Sequence, residues 1–232
     1  MTEVKPNLET KWDILYDPSK KSLFTKLEEF AINNYFSNAF AKFILSITKI
    51  EKGKIFEPGS GGGMTCANFA QLGFEIISMD LSNNALRKGI SLFKSLSLNA
   101  KFLLGDLFNL PIKDEQFDIV FNQGVMEHFR LANMDASKGI KEMLRVIKKE
   151  GTLIIFVPAY LSPLFFIYHF FKFFKLIDKY WPYTEQDFLH KNENYIKIFI
   201  NNESHEYKKF IHDDYQELSH NVYKRKWYDL RS

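Results

Sequence analysis

The chain has 232 residues, of which 46% are hydrophobic and 25% are charged. This length fits one domain with an accessory segment, and the apolar content is sufficient for a buried core. The formal net charge of +3 is small and the basic residues are scattered, so a nucleic acid partner is not favoured.

The N-terminal part of the chain, residues 1–50, is predicted to be a helical cap. Residues 21–49 have apolar side chains at helical spacing. Trp12 and Tyr16, which precede them, are candidates either for packing at the N-terminus or for the wall of a ligand pocket. The N-terminus lacks the apolar run of a secretory signal, and the one cysteine, Cys66, fits a reducing compartment. We therefore predict a cytoplasmic protein.

Residues 51–158 are predicted to form an α/β core that binds a ligand. Strands are predicted near 54–57, 75–79, 101–104, 117–121 and 152–157, and helices near 64–72, 83–97 and 136–149. This alternation predicts a mostly parallel, doubly wound sheet with right-handed crossovers. In such sheets ligands bind at the carboxyl ends of the strands, where the strand order reverses.

A glycine-rich loop follows the first predicted strand. Gly59, Gly61 and Gly63 follow the acidic Glu57 with the spacing acidic-x-G-x-G-x-G. Glycine permits positive φ and close approach of a ligand to the backbone, so the loop is predicted to bind a nucleoside. In the dinucleotide fingerprint G-x-G-x-x-G/A the last position would fall on Met64. A phosphate-binding loop is also disfavoured, because its Gly-Lys-Ser/Thr ending is absent from the sequence.

Polar side chains stand at the ends of the next three predicted strands. Asp80 ends the second strand, Asp106 follows the third and Asn122 ends the fourth. No cationic side chain lies between Lys54 and Arg87, so the segment suits a ligand with positive charge. An acidic residue at the position of Asp80 can accept hydrogen bonds from both hydroxyl groups of a ribose.

The stretches around these residues resemble the successive motifs of class I S-adenosylmethionine-dependent methyltransferases, in particular the small-molecule group (methyltransferase type 11) that includes enzymes of quinone biosynthesis. The stretches are Glu57–Gly63, Asp80–Ser82, Gly105–Leu107, Phe117–His128 and Lys141–Gly151. In the last of them Glu150 stands where the family usually has Gly. The resemblance covers about residues 50–158. It implies a Rossmann-like fold with S-adenosyl-L-methionine as the cofactor.

By position, the resemblance also implies roles for individual residues. It implies that Glu57 and the glycine loop lie near the methionine moiety, that Asp80 binds the ribose and that Asp106 lies near the adenine amino group. Residues 122–124 would line the floor of the cofactor site and lead to the methyl group. The cofactor-binding residues expected on this basis are Glu57, Gly59, Ser60, Gly61, Gly63, Asp80, Leu81, Asp106, Leu107, Asn122, Gln123 and Gly124.

Glu127 and His128 follow the fourth predicted strand on the ligand side of the sheet. Methyl transfer from a sulfonium is an in-line displacement, in which orientation and exclusion of water supply much of the rate. A hydroxyl acceptor would also need a base, and His128 is the catalytic candidate because imidazole titrates near neutral pH. The alternative is that His128 supports the site structurally and Glu127 orients the loop. No metal is expected, since the sequence has no cluster with metal-ligand spacing.

Residues 159–194 form an aromatic segment, predicted to be a helical insertion or cap. Its apolar part reads LFFIYHFFKFFKLI from residue 164. Two lysines interrupt this run, which is too short to span a membrane. It is interpreted as a buried lid helix, as a cover over a lipophilic substrate pocket, or as an interfacial helix at 164–179 that contacts a membrane with snorkelling lysines.

Residues 195–232 are predicted to complete the same domain. The alternating stretch 195–200 predicts a late strand, and residues 201–232 are expected to form a solvated helix. The family normally has two further strands after the fifth. With one candidate in the sequence, a shortened or rearranged sheet edge is an open alternative.

The predicted function is methyl transfer to a small, apolar or aromatic acceptor, with O- or C-methylation favoured. The fourth strand ends in Asn122-Gln123-Gly124, which differs from the Asn/Asp-Pro-Pro-aromatic motif common in methylation of exocyclic amines. An RNA or protein methyltransferase is one alternative, and a non-catalytic subunit that binds adenosylmethionine or adenosylhomocysteine is another. A nicotinamide enzyme is disfavoured by Met64.

Overall fold

The computed structural model describes residues 12–17, 19, 26, 30, 33, 37–131, 134–158, 169–176, 207–210 and 220–226. Helices α1 to α5 span Ser37–Thr48, Met64–Gln71, Asn83–Ser95, Met126–Leu131 and Ala136–Val146. Strands β1 to β7 span Lys54–Pro58, Glu75–Asp80, Lys101–Leu104, Phe117–Gln123, Ile147–Pro158, Tyr207–Phe210 and His220–Lys226.

The seven strands form one sheet in the order β3-β2-β1-β4-β5-β7-β6. Strands β1 to β5 pair in parallel, while β7 is antiparallel to both β5 and β6. The chain runs outward from β1 through β2 to β3 and then returns to β4 on the other side of β1. The strand order therefore reverses between β1 and β4, where a ligand crevice is expected. The predicted α/β fold is confirmed.

Helices cover both faces of this sheet. Neighbouring residues of a strand point to opposite faces, and Ile55 and Phe56 of β1 enter different apolar clusters. Phe56 belongs to the cluster that contains Met143 of α5. Ile55 belongs to the cluster with Phe40 of α1 and Phe69 of α2. Because the central strands are buried on both faces, they read as continuous apolar runs in the sequence.

Phenylalanine side chains make up much of this core. Their burial there explains part of the high phenylalanine content, 24 residues in the chain. Phe56 of β1 and Phe117 of β4 stack with their ring centroids 5.0 Å apart. The two strands are adjacent in the sheet. Such a pair adds about 0.5–1.5 kcal/mol beyond the burial of its surface. The largest fully buried aromatic side chains are Phe40, Phe56, Phe69, Phe117, Phe121 and Phe156.

The C-terminal part differs from the prediction. The late strand predicted at 195–200 lies outside the described residues. The solvated helix expected over 201–232 is wrong, because this stretch contains β6 and β7. The sequence of β6 is YKKF and that of β7 is HNVYKRK. Both have too few apolar residues to show a clear alternation of apolar and polar side chains. Backbone pairing with β5 identifies them, and the sheet has both strands beyond the fifth.

Two further boundaries differ from the prediction. The helix expected over 136–149 ends at Val146, because Ile147 already pairs with Phe117 as the first residue of β5. Helix α4, which follows β4, was not predicted from the sequence. Of the N-terminal helices predicted over 21–49, the described part is mainly α1.

The aromatic segment is described only at 169–176, where residues 169–173 are helical. Phe170, Phe173 and Phe174 are exposed there. Among the described helices, none has the length and apolar character that crossing a bilayer requires.

Candidate active site

The glycine loop between β1 and α2 is held against the end of β2. The N–H groups of Gly59 and Ser60 donate to the carbonyl oxygen of Met79, at 2.7 and 3.0 Å. Gly59 and Gly61 have φ angles of 74° and 53°, a left-handed conformation that favours glycine. A Cβ atom at Gly59 would also overlap the side chain of Val125. The loop conformation therefore requires glycine at both positions.

Asp80, the last residue of β2, is fixed by two loops. Its Oδ2 accepts a hydrogen bond from the Gly61 N–H at 2.7 Å, and its Oδ1 accepts one from the Ser82 N–H at 2.8 Å. Burial raises the pKa of Asp80, while hydrogen bonds from these N–H groups and from Leu81 oppose that rise. Each carboxylate oxygen can accept a second hydrogen bond, so Asp80 can still bind the hydroxyl groups of a ligand.

A pocket of about 120 Å³ lies at the carboxyl ends of the strands. It includes many of the residues that were predicted to bind a cofactor: Gly59, Asp80, Leu81, Asp106, Leu107, Gln123 and Gly124. The other lining residues are Trp12, Tyr16, Met79, Gly105, Val125, His128 and Phe129. Residues from distant parts of the sequence thus meet where the strand order reverses.

The other predicted cofactor residues are not in the pocket wall: Glu57, Ser60, Gly61, Gly63 and Asn122. Several of them fix the backbone of the loop. The Ser78 hydroxyl donates to the Ser60 hydroxyl at 2.6 Å, and Asn122 Nδ2 donates to the Pro58 carbonyl oxygen at 2.9 Å. Gly63 is the N-cap of α2 in a left-handed conformation.

Glu57 is buried and forms a pair with Cys66 of α2. The Cys66 thiol donates to Glu57 Oε2 at 3.0 Å. Burial raises the pKa of Glu57 to about 8, and the nearby charge of Asp80 adds to the rise. Burial likewise raises the pKa of the Cys66 thiol. At neutral pH both groups are therefore mainly protonated, and this buried position contains little net charge.

The loop after β3, which provides Asp106 and Leu107 to the pocket, is attached to α5 through Arg145. Arg145 Nη1 donates to the Ile112 carbonyl oxygen at 2.7 Å, and Nη2 donates to the Leu110 carbonyl oxygen at 3.1 Å. Glu142 joins the same network, since Arg145 donates to its carboxylate and the Leu110 N–H does so at 2.9 Å. The sequence analysis missed Arg145 as a residue that supports the site. The (i, i+3) pairing with Glu142 is the signal that could have identified it.

His128, the catalytic candidate, lines the pocket from α4. The indole ring of Trp12 packs edge-on against its imidazole, with centroids 4.8 Å apart. Burial lowers the pKa of His128 to about 3, although a hydrogen bond with the Gly124 backbone opposes this shift. His128 is therefore neutral at physiological pH. Glu127 also lies in α4.

Trp12 and Tyr16 both line the pocket, so the N-terminal aromatic residues belong to its wall. Met79, Gly105, Val125 and Phe129 also line it and were not predicted. Each is the immediate neighbour of a predicted residue or of His128. Inspection of whole loops, rather than of single motif positions, would have included them.

The charged side chains in the described pocket lining are the carboxylates of Asp80 and Asp106. Carboxylates suit ribose hydroxyl groups, an exocyclic amine and a ligand with positive charge, whereas a pyrophosphate would be repelled. The remaining lining consists of apolar side chains, backbone, Gln123, Tyr16 and neutral His128. Among the described residues, no group of acidic, histidine or cysteine side chains is arranged to hold a metal ion.

Residues 56–155 match the family of the methyltransferase domain. Over this stretch, which is less than half of the chain, the sequence is similar to that family. The match runs from within β1 to within β5 and includes the pocket loops between them. The predicted resemblance to small-molecule methyltransferases is thus confirmed for the core of the chain.

Curated relatives of this stretch are named for methylation of different atoms. Norajmaline N-methyltransferase of Rauvolfia serpentina is 34% identical over 110 residues, which are 45% of this chain and 36% of that protein. Ubiquinone biosynthesis O-methyltransferase of Bartonella quintana (strain Toulouse) is 28% identical over 119 residues, or 50% of this chain and 46% of that protein. The chain thus matches less than half the length of either relative.

Solved structures share the fold of this chain over most of its length. A putative S-adenosyl-L-methionine-dependent methyltransferase from Methanococcus maripaludis has a TM-score of 0.69 at 16% identity, covering 89% of this chain and 92% of the other. A SAM-dependent methyltransferase from Aquifex aeolicus has a TM-score of 0.64 at 12% identity, covering 95% of this chain and 98% of the other. At these identities the likeness shows the fold.

Proposed function

We propose that this chain is an S-adenosyl-L-methionine-dependent methyltransferase that acts on a small, apolar or aromatic acceptor. The methyltransferase domain and its neighbours, which are described as SAM-dependent, imply this cofactor. The observation that carries the proposal is the pocket itself, whose described charged groups are two carboxylates beside a glycine loop. When bound, the cofactor supplies an electrophilic methyl group on a sulfonium.

The proposed roles follow the positions of the lining residues. Asp80 would accept hydrogen bonds from the ribose, and Asp106 would accept one from the adenine amino group. The glycine loop would lie along the methionine moiety. Glu57, which precedes the loop, would help to maintain the shape of the loop. Gln123 and Gly124, at the end of β4, would form the floor that leads to the methyl group.

An apolar acceptor is supported by the apolar side chains in the pocket lining, which include Val125, Phe129 and Trp12. The printed functions of the relatives include both N- and O-methylation, and we favour O- or C-methylation here. His128 remains the proposed catalytic residue. Because its pKa lies near 3, we expect it to act as a hydrogen-bonding partner of the acceptor more than as a strong base.

The experiment that tests the function is calorimetric titration with adenosylmethionine, adenosylhomocysteine and NAD. We expect the two adenosyl ligands to bind and NAD to bind more weakly or not at all. Asp80→Ala should weaken adenosylmethionine binding, whereas Glu75→Ala, at the exposed start of the same strand, should not. Failure of adenosylmethionine to bind, or equal binding by the Asp80 variant, would overturn the proposal.

Two other functions would give different results. An RNA or protein methyltransferase would depend strongly on salt and methylate a macromolecule. A non-catalytic subunit would bind the cofactor but transfer no methyl group to any acceptor in a panel of small aromatic and quinone-like compounds.

We propose that the protein is cytoplasmic. It would reach a lipophilic acceptor through peripheral contact of residues 164–179 with a membrane. It is supported by the exposure of Phe170, Phe173 and Phe174 in the described part of that segment, which also contains Lys172 and Lys175. Flotation with anionic and neutral liposomes tests it. Replacing both lysines by glutamate should abolish flotation with anionic vesicles, and an unchanged variant would contradict membrane contact.

A further inference from the structure

Residues 12–17 lie across the pocket and are attached to the start of α3 by Asp13. The Ser82 hydroxyl donates to Asp13 Oδ1 at 2.6 Å, and the Asn84 N–H donates to the same oxygen at 3.2 Å. Asn84 Nδ2 also donates to the Asp13 carbonyl oxygen at 2.9 Å. The side chain and the backbone of Asp13 are thereby both held by hydrogen bonds. The partners, Ser82 and Asn84, come 69 and 71 positions later in the chain.

The start of α3 is well suited to hold this carboxylate. The first turn of α3 contains no acidic residue, and its N-cap is Ser82, whose hydroxyl oxygen accepts a hydrogen bond from the Ala85 N–H at 3.1 Å. The N-terminus of a helix attracts negative charge. Asp13 therefore supplies, from a distant segment, the acidic partner that α3 lacks in its own sequence.

The residues on either side of Asp13 form part of the pocket wall. Trp12 packs on His128, and the hydroxyl of Tyr16 lies directly over Gly61, where a Cβ atom would overlap it. The centroid of the Tyr16 ring also lies 5.8 Å from Lys88 Nζ of α3, which is a cation–π distance. The segment thus contacts the glycine loop, α3 and α4 at once.

A continuous set of hydrogen bonds joins Asp13 to the proposed cofactor site. Ser82 donates through its hydroxyl to Asp13 and through its N–H to Asp80. Asp80 in turn accepts from the Gly61 N–H. A change at Asp13 can therefore reach the end of β2 through Ser82, and the glycine loop through Ser82 and Asp80.

We propose that Asp13 is a positioning residue that fastens residues 12–17 over the pocket, so that Trp12 and Tyr16 become its outer wall. Access to the pocket and release from it then require the contact between Asp13 and Ser82 to open. The effect on cofactor binding rests on the proposed function, whereas the effect on the position of Trp12 does not.

The test compares Asp13→Ala and Asp13→Asn with Asp17→Asn, a matched control on the same turn whose carboxylate accepts from Ser19. Replacing the other two tryptophans by phenylalanine leaves Trp12 as the reporter. Without ligand, Asp13→Ala should increase acrylamide quenching of Trp12 fluorescence. Asp13→Asn, which keeps an acceptor oxygen, should lie between Asp13→Ala and the wild type, and Asp17→Asn should match the wild type.

Adenosylhomocysteine release, measured by stopped flow, is the second measurement. Loss of hydrogen bonds to a charged group predicts release about tenfold faster from Asp13→Ala. Unchanged quenching and unchanged release in this variant would overturn the proposal. If Asp13→Ala does not fold, Asn84→Ala removes the side-chain donor to the Asp13 carbonyl oxygen, a second attachment of the same segment, and should also increase quenching of Trp12. If the wild type binds no adenosylhomocysteine, the proposed function fails while the quenching comparison still decides the role of Asp13.

Discussion

The carboxylate of Asp80 accepts a hydrogen bond from the Gly61 N–H at 2.7 Å and so joins the end of β2 to the glycine loop. The hydroxyl of Tyr16 lies over Gly61 from the other side. Gly61 is therefore enclosed between a carboxylate that must stay in place and an aromatic ring that closes the pocket. A side chain at this position would disturb both contacts.

Gly61→Ala is predicted to weaken adenosylmethionine binding about tenfold or more, since the new methyl group displaces Tyr16 and disturbs the hydrogen bond to Asp80. Gly73→Ala is the matched control, because Gly73 also has a positive φ, of 87°, but open space around it. Both variants should lose about 1 kcal/mol of folding stability from backbone strain. Calorimetric titration should show the binding loss only for Gly61→Ala. Equal loss in both variants would assign the effect to strain alone.

The buried groups Glu57 and His128 predict opposite dependences of stability on pH. The pKa of Glu57 rises from 4.5 in the unfolded chain to about 8, so its contribution is complete below pH 4.5 and is lost as the pH rises to 8. The pKa of His128 falls from 6.5 to about 3, so its contribution is complete above pH 6.5 and is lost as the pH falls to 3. Of these two contributions, only that of Glu57 changes above pH 6.5, with a slope of about −1.4 kcal/mol per pH unit that declines as the pH approaches 8.

Glu57→Gln mimics the protonated form and keeps an oxygen that can accept from Cys66. We expect urea unfolding to give similar free energies for wild type and variant near pH 5, and a more stable variant near pH 9. The difference should grow as the pH rises to about 8 and then level off. Parallel pH profiles for the two proteins would show that Glu57 ionises freely in the folded state.

Arg145 is predicted to act on cofactor binding from outside the pocket. Arg145→Ala removes the donors that hold the Leu110 and Ile112 carbonyl oxygens, so the loop with Asp106 should become less ordered. We expect a loss of about 1–3 kcal/mol in stability and weaker binding of adenosylhomocysteine. Lys138→Ala, on the same helix, is the control for a lost positive charge. Hydrogen exchange of residues 105–112 separates loop disorder from a general loss of stability, which would affect all elements equally.

Much of the core could be predicted from the sequence because its signals are local. The apolar runs of β1 and β4 are buried on both faces, and the glycine spacing after Glu57 reflects positive φ angles in the loop itself. Asp80 and Asp106 were predicted at the pocket because Asp80 ends a recognisable strand and Asp106 stands two residues after the end of another.

The missed features depend on contacts between distant residues. Asp13 meets Ser82 across 69 positions, and no pattern around Asp13 indicates that partner. Strands β6 and β7 are specified by their pairing with β5, since their lysine-rich sequences hide the strand period. Glu57 contacts Cys66 and does not line the pocket, and the strand pattern alone does not indicate this.

His128 is predicted to remain neutral throughout the range in which histidine usually titrates. Its imidazole is buried beside Trp12, and this burial lowers its pKa to about 3. In NMR spectra of the ligand-free protein, the resonances assigned to His128 by comparison with His128→Asn should therefore not shift with a midpoint between pH 5 and 8. Opening of the Trp12 contact by Asp13→Ala should move this midpoint upward towards 6.5, because the imidazole becomes hydrated. A wild-type midpoint near 6.5 would instead restore His128 as an ordinary general base and contradict its burial behind Trp12.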